Sequence, residues 1–238
     1  LGTEDSTLSE RSVEELSQLV LSSEDDIAIG AAYELGAMQS GLEALWPYFF
    51  SHDPDIRSIA AYGIVRAGSN AVPRLLDEVK RADPGLQLRI VDVIGDIGLE
   101  ANTAVSMLIS LVTSEDVLVR RAVFEALGMV LQADATLPAD VVEALGNGLD
   151  DEDAIVVRNA TFAISRLGGK ACTDSIVDKI DRNLSHWHHH VRGWSIEALQ
   201  RLKDSRAMDL ALTYLMSARW DPALKSGDRE PTAETMRR

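Results

Sequence analysis

Ten residues, Val119-Arg120-Arg121-Ala122-Val123-Phe124-Glu125-Ala126-Leu127-Gly128, restrict this chain more than any other stretch, because close relatives of them recur along its length. Their small and apolar positions fall three and four apart, with a charged pair near the start and a glycine to end the run. That spacing predicts a short amphipathic helix. Relatives lie at 27–36, 56–64, 86–95, 157–164 and 191–199, and the apolar positions Leu35, Ile64, Ile94, Leu127, Ile164 and Leu199 return about every 30 to 37 residues. The copy at 157–164 slips by one residue against the rest. A period of this size means stacked helical units, none of which buries its apolar face alone.

Each copy has the same flanks. An acidic turn precedes it: Ser23-Glu24-Asp25-Asp26, Asp53-Pro54-Asp55, Asp83-Pro84-Gly85, Ser114-Glu115-Asp116 and Asp150-Asp151-Glu152-Asp153. Asp and Ser in those turns suit a helix N-cap, and their charge suits the positive end of the helix dipole. A break follows each copy, then a second apolar-periodic segment. Two of these segments begin near Pro73 and Pro138, which fit the first helical position. The unit is therefore helix, turn, helix.

With acidic turn, Val-Arg, and an alanine-rich helix ending Leu-Gly, the units resemble HEAT repeats, in particular the short kind of phycobilin-lyase-like proteins. The resemblance spans roughly residues 23–219 and is strongest at 119–128 and 191–199. Ala28 and Gln87 depart from it at the arginine position. It implies an all-α fold, an α-α superhelix or HEAT-like solenoid of about six helical hairpins. It also implies a non-catalytic scaffold whose second helices line a concave binding face. Two other functions follow from the resemblance: an accessory domain of a larger enzyme such as a dioxygenase or sulfatase, and a subunit of a phycobilin-lyase-like chromophore-handling enzyme. The His-Glu dipeptides of iron-binding HEAT-repeat hydroxylases are absent.

The ends differ from the middle. Residues 1–22 form an acidic segment with a capping helix, 23–220 the repeat array and 221–238 a solvated tail. Residues 1–30 hold eight acids against Arg11. The sequence opens on Leu1 rather than Met, as a processed chain or a domain of a longer protein would. A net charge of -15 argues against a nucleic-acid partner, which is held by cations on phosphates. No apolar run reaches the ~18 residues of a membrane span, and no signal peptide is visible, so the cytoplasm is the expected location with no membrane partner. The single Cys172 leaves no internal disulfide and reads as a small buried thiol. No cofactor is expected.

Three runs stand outside the pattern. His186-Trp187-His188-His189-His190 holds four of five histidines, and His186 with His190 would form an i, i+4 metal pair if the helix began early enough. Without a three-ligand motif, a polar turn is the preferred reading. Trp187, Trp194 and Trp220 with Arg192, Arg201, Arg206 and Arg219 concentrate interface-type residues at one end. Leu45-Trp46-Pro47-Tyr48-Phe49-Phe50 places Pro47 inside a helix, where it should kink it, and gathers four aromatics, more than a core would take up. Asp150 to Asp153 lacks calcium-loop spacing and reads as a solvated turn. The expected partner is another protein or a covalently linked domain. The expected contacts are Trp46, Tyr48, Phe49, His186, His188, His190, Trp194, Arg219 and Trp220. Arg120, Arg57 and Arg192 are expected to tie a helix to a neighbouring acidic turn.

Overall fold

Aspartates set the starts of the first helices. In a computed structural model that describes residues 8–132 and 136–217, Asp53, Asp83, Asp116 and Asp153 are N-caps whose carboxylates accept from backbone N–H groups of the first turn. Pro54 and Pro84 follow two of them at the first helical position. Glu24 and His188 hold the same place with no side-chain cap bond.

The helices are α1 (Val13–Leu19), α2 (Asp25–Gly36), α3 (Gln39–Phe49), α4 (Pro54–Arg66), α5 (Val72–Glu78), α6 (Pro84–Ile97), α7 (Val105–Leu111), α8 (Val117–Val130), α9 (Ala139–Gly148), α10 (Ala154–Leu167), α11 (Asp174–Asn183), α12 (His189–Leu202) and α13 (Ala207–Ser217). No strand occurs among the described residues, and the fold class is all-α, of stacked helical hairpins. Pro138 sits at the N-cap of α9 rather than inside it.

The chain divides into two compact units, Leu1–Ala104 and Val105–Arg238. In unit 1, α2 packs on α4 and α4 on α6, while α1 lies against α2 and α3. Its core is aliphatic around Leu35, Leu45, Ile64, Leu75 and Ile94, with Trp46 and Phe49. In unit 2, α8 packs on α10 and α10 on α12, and α9 lies against both α7 and α11. Val123, Phe124, Leu127, Val157, Ile164, Val191 and Leu199 fill that core. Within each unit, first helices stack on first helices. The two-layer packing buries the apolar stripe of each helix against two neighbours.

Glycine plays two parts here, and the helix-ending part expected of it holds at Gly36, where α2 ends, but not at Gly128. Gly128 does not end its helix, since α8 continues to Val130. A Cβ there would press on Phe162 and on the backbone of Ala163, so Gly128 lets α10 approach. The positive-φ glycines come later, at Gly68, Gly98 and Gly168, each just beyond a first helix. After α12 that place belongs to Lys203, at φ 58° and ψ 28°.

Candidate interaction surfaces

The repeated arginine comes first because it recurs. In unit 2 the Nη1 of Arg120 donates to the carbonyls of Ser114 (2.9 Å) and Glu115 (3.4 Å) in the turn before its own helix. Its Nε and Nη2 donate to the two oxygens of Asp151 at 3.0 and 3.2 Å, in the next turn. Arg121 makes a matching pair of bonds to Asp153, at 2.8 and 2.6 Å. That pairing, with the backbone N–H groups of Val156 and Ile155, lowers the Asp153 pKa to about 2. Asp150 takes Lys179 (2.8 Å) and Arg182 (3.1 Å). The turn of Asp150 to Asp153 is thus not the solvated turn expected of it but a tie between hairpins, and the tie expected of Arg120 is present. Arg57 in unit 1 and Arg192 in unit 2 repeat the bonds to their own preceding turns, to Ser51 and His52 and to His186 and Trp187. The slip of the fifth copy is real: Val157, fully buried, stands four residues past its N-cap where Arg120 stands past Asp116. A groove of about 640 Å³ opens beside the Arg120 clamp, lined by Val112, Glu115, Phe124, Asn147 and Glu152 among others.

The histidine run begins outside α12. His188 is the N-cap, so His186 and His190 are not one turn apart on a helix, and the condition for an i, i+4 pair is not met. The Nδ1 of His186 accepts from the backbone N–H of His188 at 3.0 Å. Among the described residues no three His, Cys, Asp or Glu side chains converge as a metal site. Burial first, then Arg192 beside His186 and the neighbouring imidazoles beside His188 and His190, lower the pKa of these three histidines from the ordinary imidazole value. Trp187 stacks on His186 and is 78% exposed. Trp194 is half-buried, edge-on to Phe162 at 5.1 Å.

Of this aromatic run, Trp46 and Phe49 belong to the core of unit 1, against the expectation that they contact a partner, while Tyr48 and Phe50 are half-buried. Trp46 and Phe49 are each 1% exposed and meet edge to face at 6.0 Å. Residues 42, 45, 46 and 49 share the buried face of the helix, so these two rings have no surface for a partner. The half-buried Tyr48 donates its hydroxyl to the carbonyl of Ser17 (2.9 Å), which fastens α1 to α3. Pro47 is exposed, and α3 ends two residues beyond it. Arg219 and Trp220 lie outside the described residues. Cys172 is part-buried in a turn, not in a helix. Burial and then the nearby Asp204 charge push its thiol up, which lowers its reactivity.

Two surfaces of unit 2 went unnoticed in the sequence. Met208, Leu212 and Met216 are 69%, 48% and 79% exposed and stand four apart along α13, a solvent-facing apolar stripe. A groove of about 490 Å³ beside it is lined by Leu199, Lys203, Ala207 and Ala211. The second surface is a line of Arg158, Phe162 and Arg166 on α10. Both repeat at i, i+4, i+8, a signal present in the letters.

A HEAT-repeat family model matches residues 72–165. No curated protein matches the chain. Among solved structures, YIBA of E. coli superposes with a TM-score of 0.62 at 17% identity, over 89% of this chain and 78% of that one. A designed armadillo repeat protein in complex with the peptide (KR)4 superposes at 0.53 with 16% identity, over 81% of this chain and all (100%) of that one. An engineered protein from structural genomics gives 0.53 at 21% identity, over 81% and 97%. Residues 72–165 are thus similar to HEAT repeats in sequence, and the fold is the helical-repeat fold of HEAT and armadillo proteins.

Proposed function

We propose that the chain is a non-catalytic scaffold that binds another protein, or a covalently linked domain, through the surface of unit 2. The observation that carries this is the exposed apolar stripe Met208, Leu212 and Met216. Solvent-facing apolar side chains in line cost solubility and mark contact surfaces. Trp187, the most exposed large aromatic described, belongs to the residue type that most often anchors interfaces. A protein of the same fold that is in complex with a peptide supports the reading. The net charge of -15 weighs against a nucleic-acid partner, and among the described residues no helix is long and apolar enough to cross a membrane.

The test replaces Trp187 or Leu212 by photoreactive benzoylphenylalanine in the full chain and irradiates it in an extract of the source cells. The same discrete adduct is expected at both positions and absent at Glu34 in unit 1. Intrinsic turnover that a single substitution abolishes, with no adduct at either position, would overturn the reading.

A further inference from the structure

Arg158, Phe162 and Arg166 stand four residues apart on α10 and so share one face. The guanidinium of Arg166 lies over the Phe162 ring, 5.8 Å from its centre, and Trp194 of α12 meets that ring edge-on at 5.1 Å. Arg166 is exposed, and the other three are half-buried. Most arginines of unit 2 are committed: Arg120 and Arg121 to aspartates, Arg192 to carbonyls, Arg201 to Glu197 at 2.7 Å, Arg206 to Asp174, Asp178 and Asp204. Arg158 donates from Nε to the Asn159 side-chain oxygen (2.8 Å), and no described acid pairs with it or with Arg166. The acid nearest in sequence on the facing helix, Glu125, already accepts from the Asn159 amide at 3.3 Å.

A chain of net charge -15 therefore carries a face where two guanidinium groups with no described acid partner flank an aromatic pair. Eight residues of helix rise about 12 Å, which sets the separation of the two charges. An extended chain covers that distance in about four residues at ~3.3 Å each. Screening confines charge effects to about 8 Å at physiological salt, so this local pair, rather than the net charge, decides what docks here. Two cations are too few to hold a polyphosphate against that net charge but suffice for two carboxylates.

We propose that the face of Arg158, Phe162, Arg166 and Trp194 is a docking strip for an extended acidic segment of a partner protein. In that segment two carboxylates four residues apart bracket one apolar side chain, which rests on the Phe162–Trp194 pair. The proposal rests on the scaffold reading and names one partner chemistry within it.

The probe is a fluorescein-labelled nonapeptide of serine and glycine with glutamate at its third and seventh positions and leucine at its fifth. Titrating the full chain in about 50 mM salt should raise its anisotropy to saturation. The double variant Arg158→Gln, Arg166→Gln should weaken binding about tenfold or more, with circular dichroism unchanged. A peptide with lysines for the glutamates should not bind. No saturable signal, equal binding by the double variant, or equal binding of the lysine peptide overturns the strip. The photo-adduct at Trp187 separates the two ideas. If the native chain gives the adduct but does not bind the peptide, the strip is wrong and the scaffold stands. If the native chain gives neither, the scaffold fails as well.

Discussion

Asp153 combines two duties in one carboxylate, capping α10 through the backbone N–H groups of Ile155 and Val156 and receiving both bonds from Arg121. Its substitution by alanine is expected to cost about 2–3 kcal/mol of unfolding free energy, read from urea denaturation. Its folded pKa lies near 2, below the ordinary 3.8, so ionised Asp153 stabilises the fold fully above about pH 4. That contribution fades as pH falls toward 2. Urea midpoints of the native chain should drop over this window more than those of Asp153→Asn. Lys203 takes the left-handed conformation, at φ 58° and ψ 28°, where a Cβ is disfavoured, so Lys203→Gly should raise stability by about 0.5–1 kcal/mol. The cap was legible at Asp153, because Asp before an apolar-periodic run has one common use. Its partner Arg121 was not, since nothing in the letters separates it from Arg120.

Between elements, backbone approach decides what is tolerated. A Cβ at Gly63 of α4 would fall on the carbonyl oxygen of Ala32 in α2, and one at Gly36 on that of Gly63. Neither obstacle is a flexible side-chain end. Gly63→Ala should therefore destabilise unit 1 by about 2–4 kcal/mol, seen as a lower thermal midpoint. Gly85, in the first turn of α6, has only the Asp83 carboxylate at 3.4 Å, and Gly85→Ala should be neutral or stabilising by up to about 1 kcal/mol. Helix existence was legible from apolar spacing throughout. The meaning of each glycine was not, because a glycine serving close approach and one serving positive φ read alike. Likewise residues 46–50 presented four aromatics around Pro47, but only the orientation of α3 shows that Trp46 and Phe49 face inward.

At the scale of the molecule, the fold class and the hairpin repeat were legible because a repeated pattern reports itself several times over. Function was less so. The histidine run drew notice by composition, yet its helix starts at His189, and of the run only Trp187 and His190 are exposed. The stripe on α13 and the strip on α10 are ordinary spacings that become surfaces only once their neighbours are known. In the proposed scaffold, the exposed apolar groups of unit 2 serve a partner rather than the fold. The triple variant Trp187→Ala, Met208→Asp, Leu212→Asp tests this, by its melting temperature beside its photo-adduct from an unaffected reporter at His190. A melting temperature within about 2 °C of the native chain, with the adduct lost, is expected of a scaffold. A fall of more than about 5 °C with the adduct retained would contradict it.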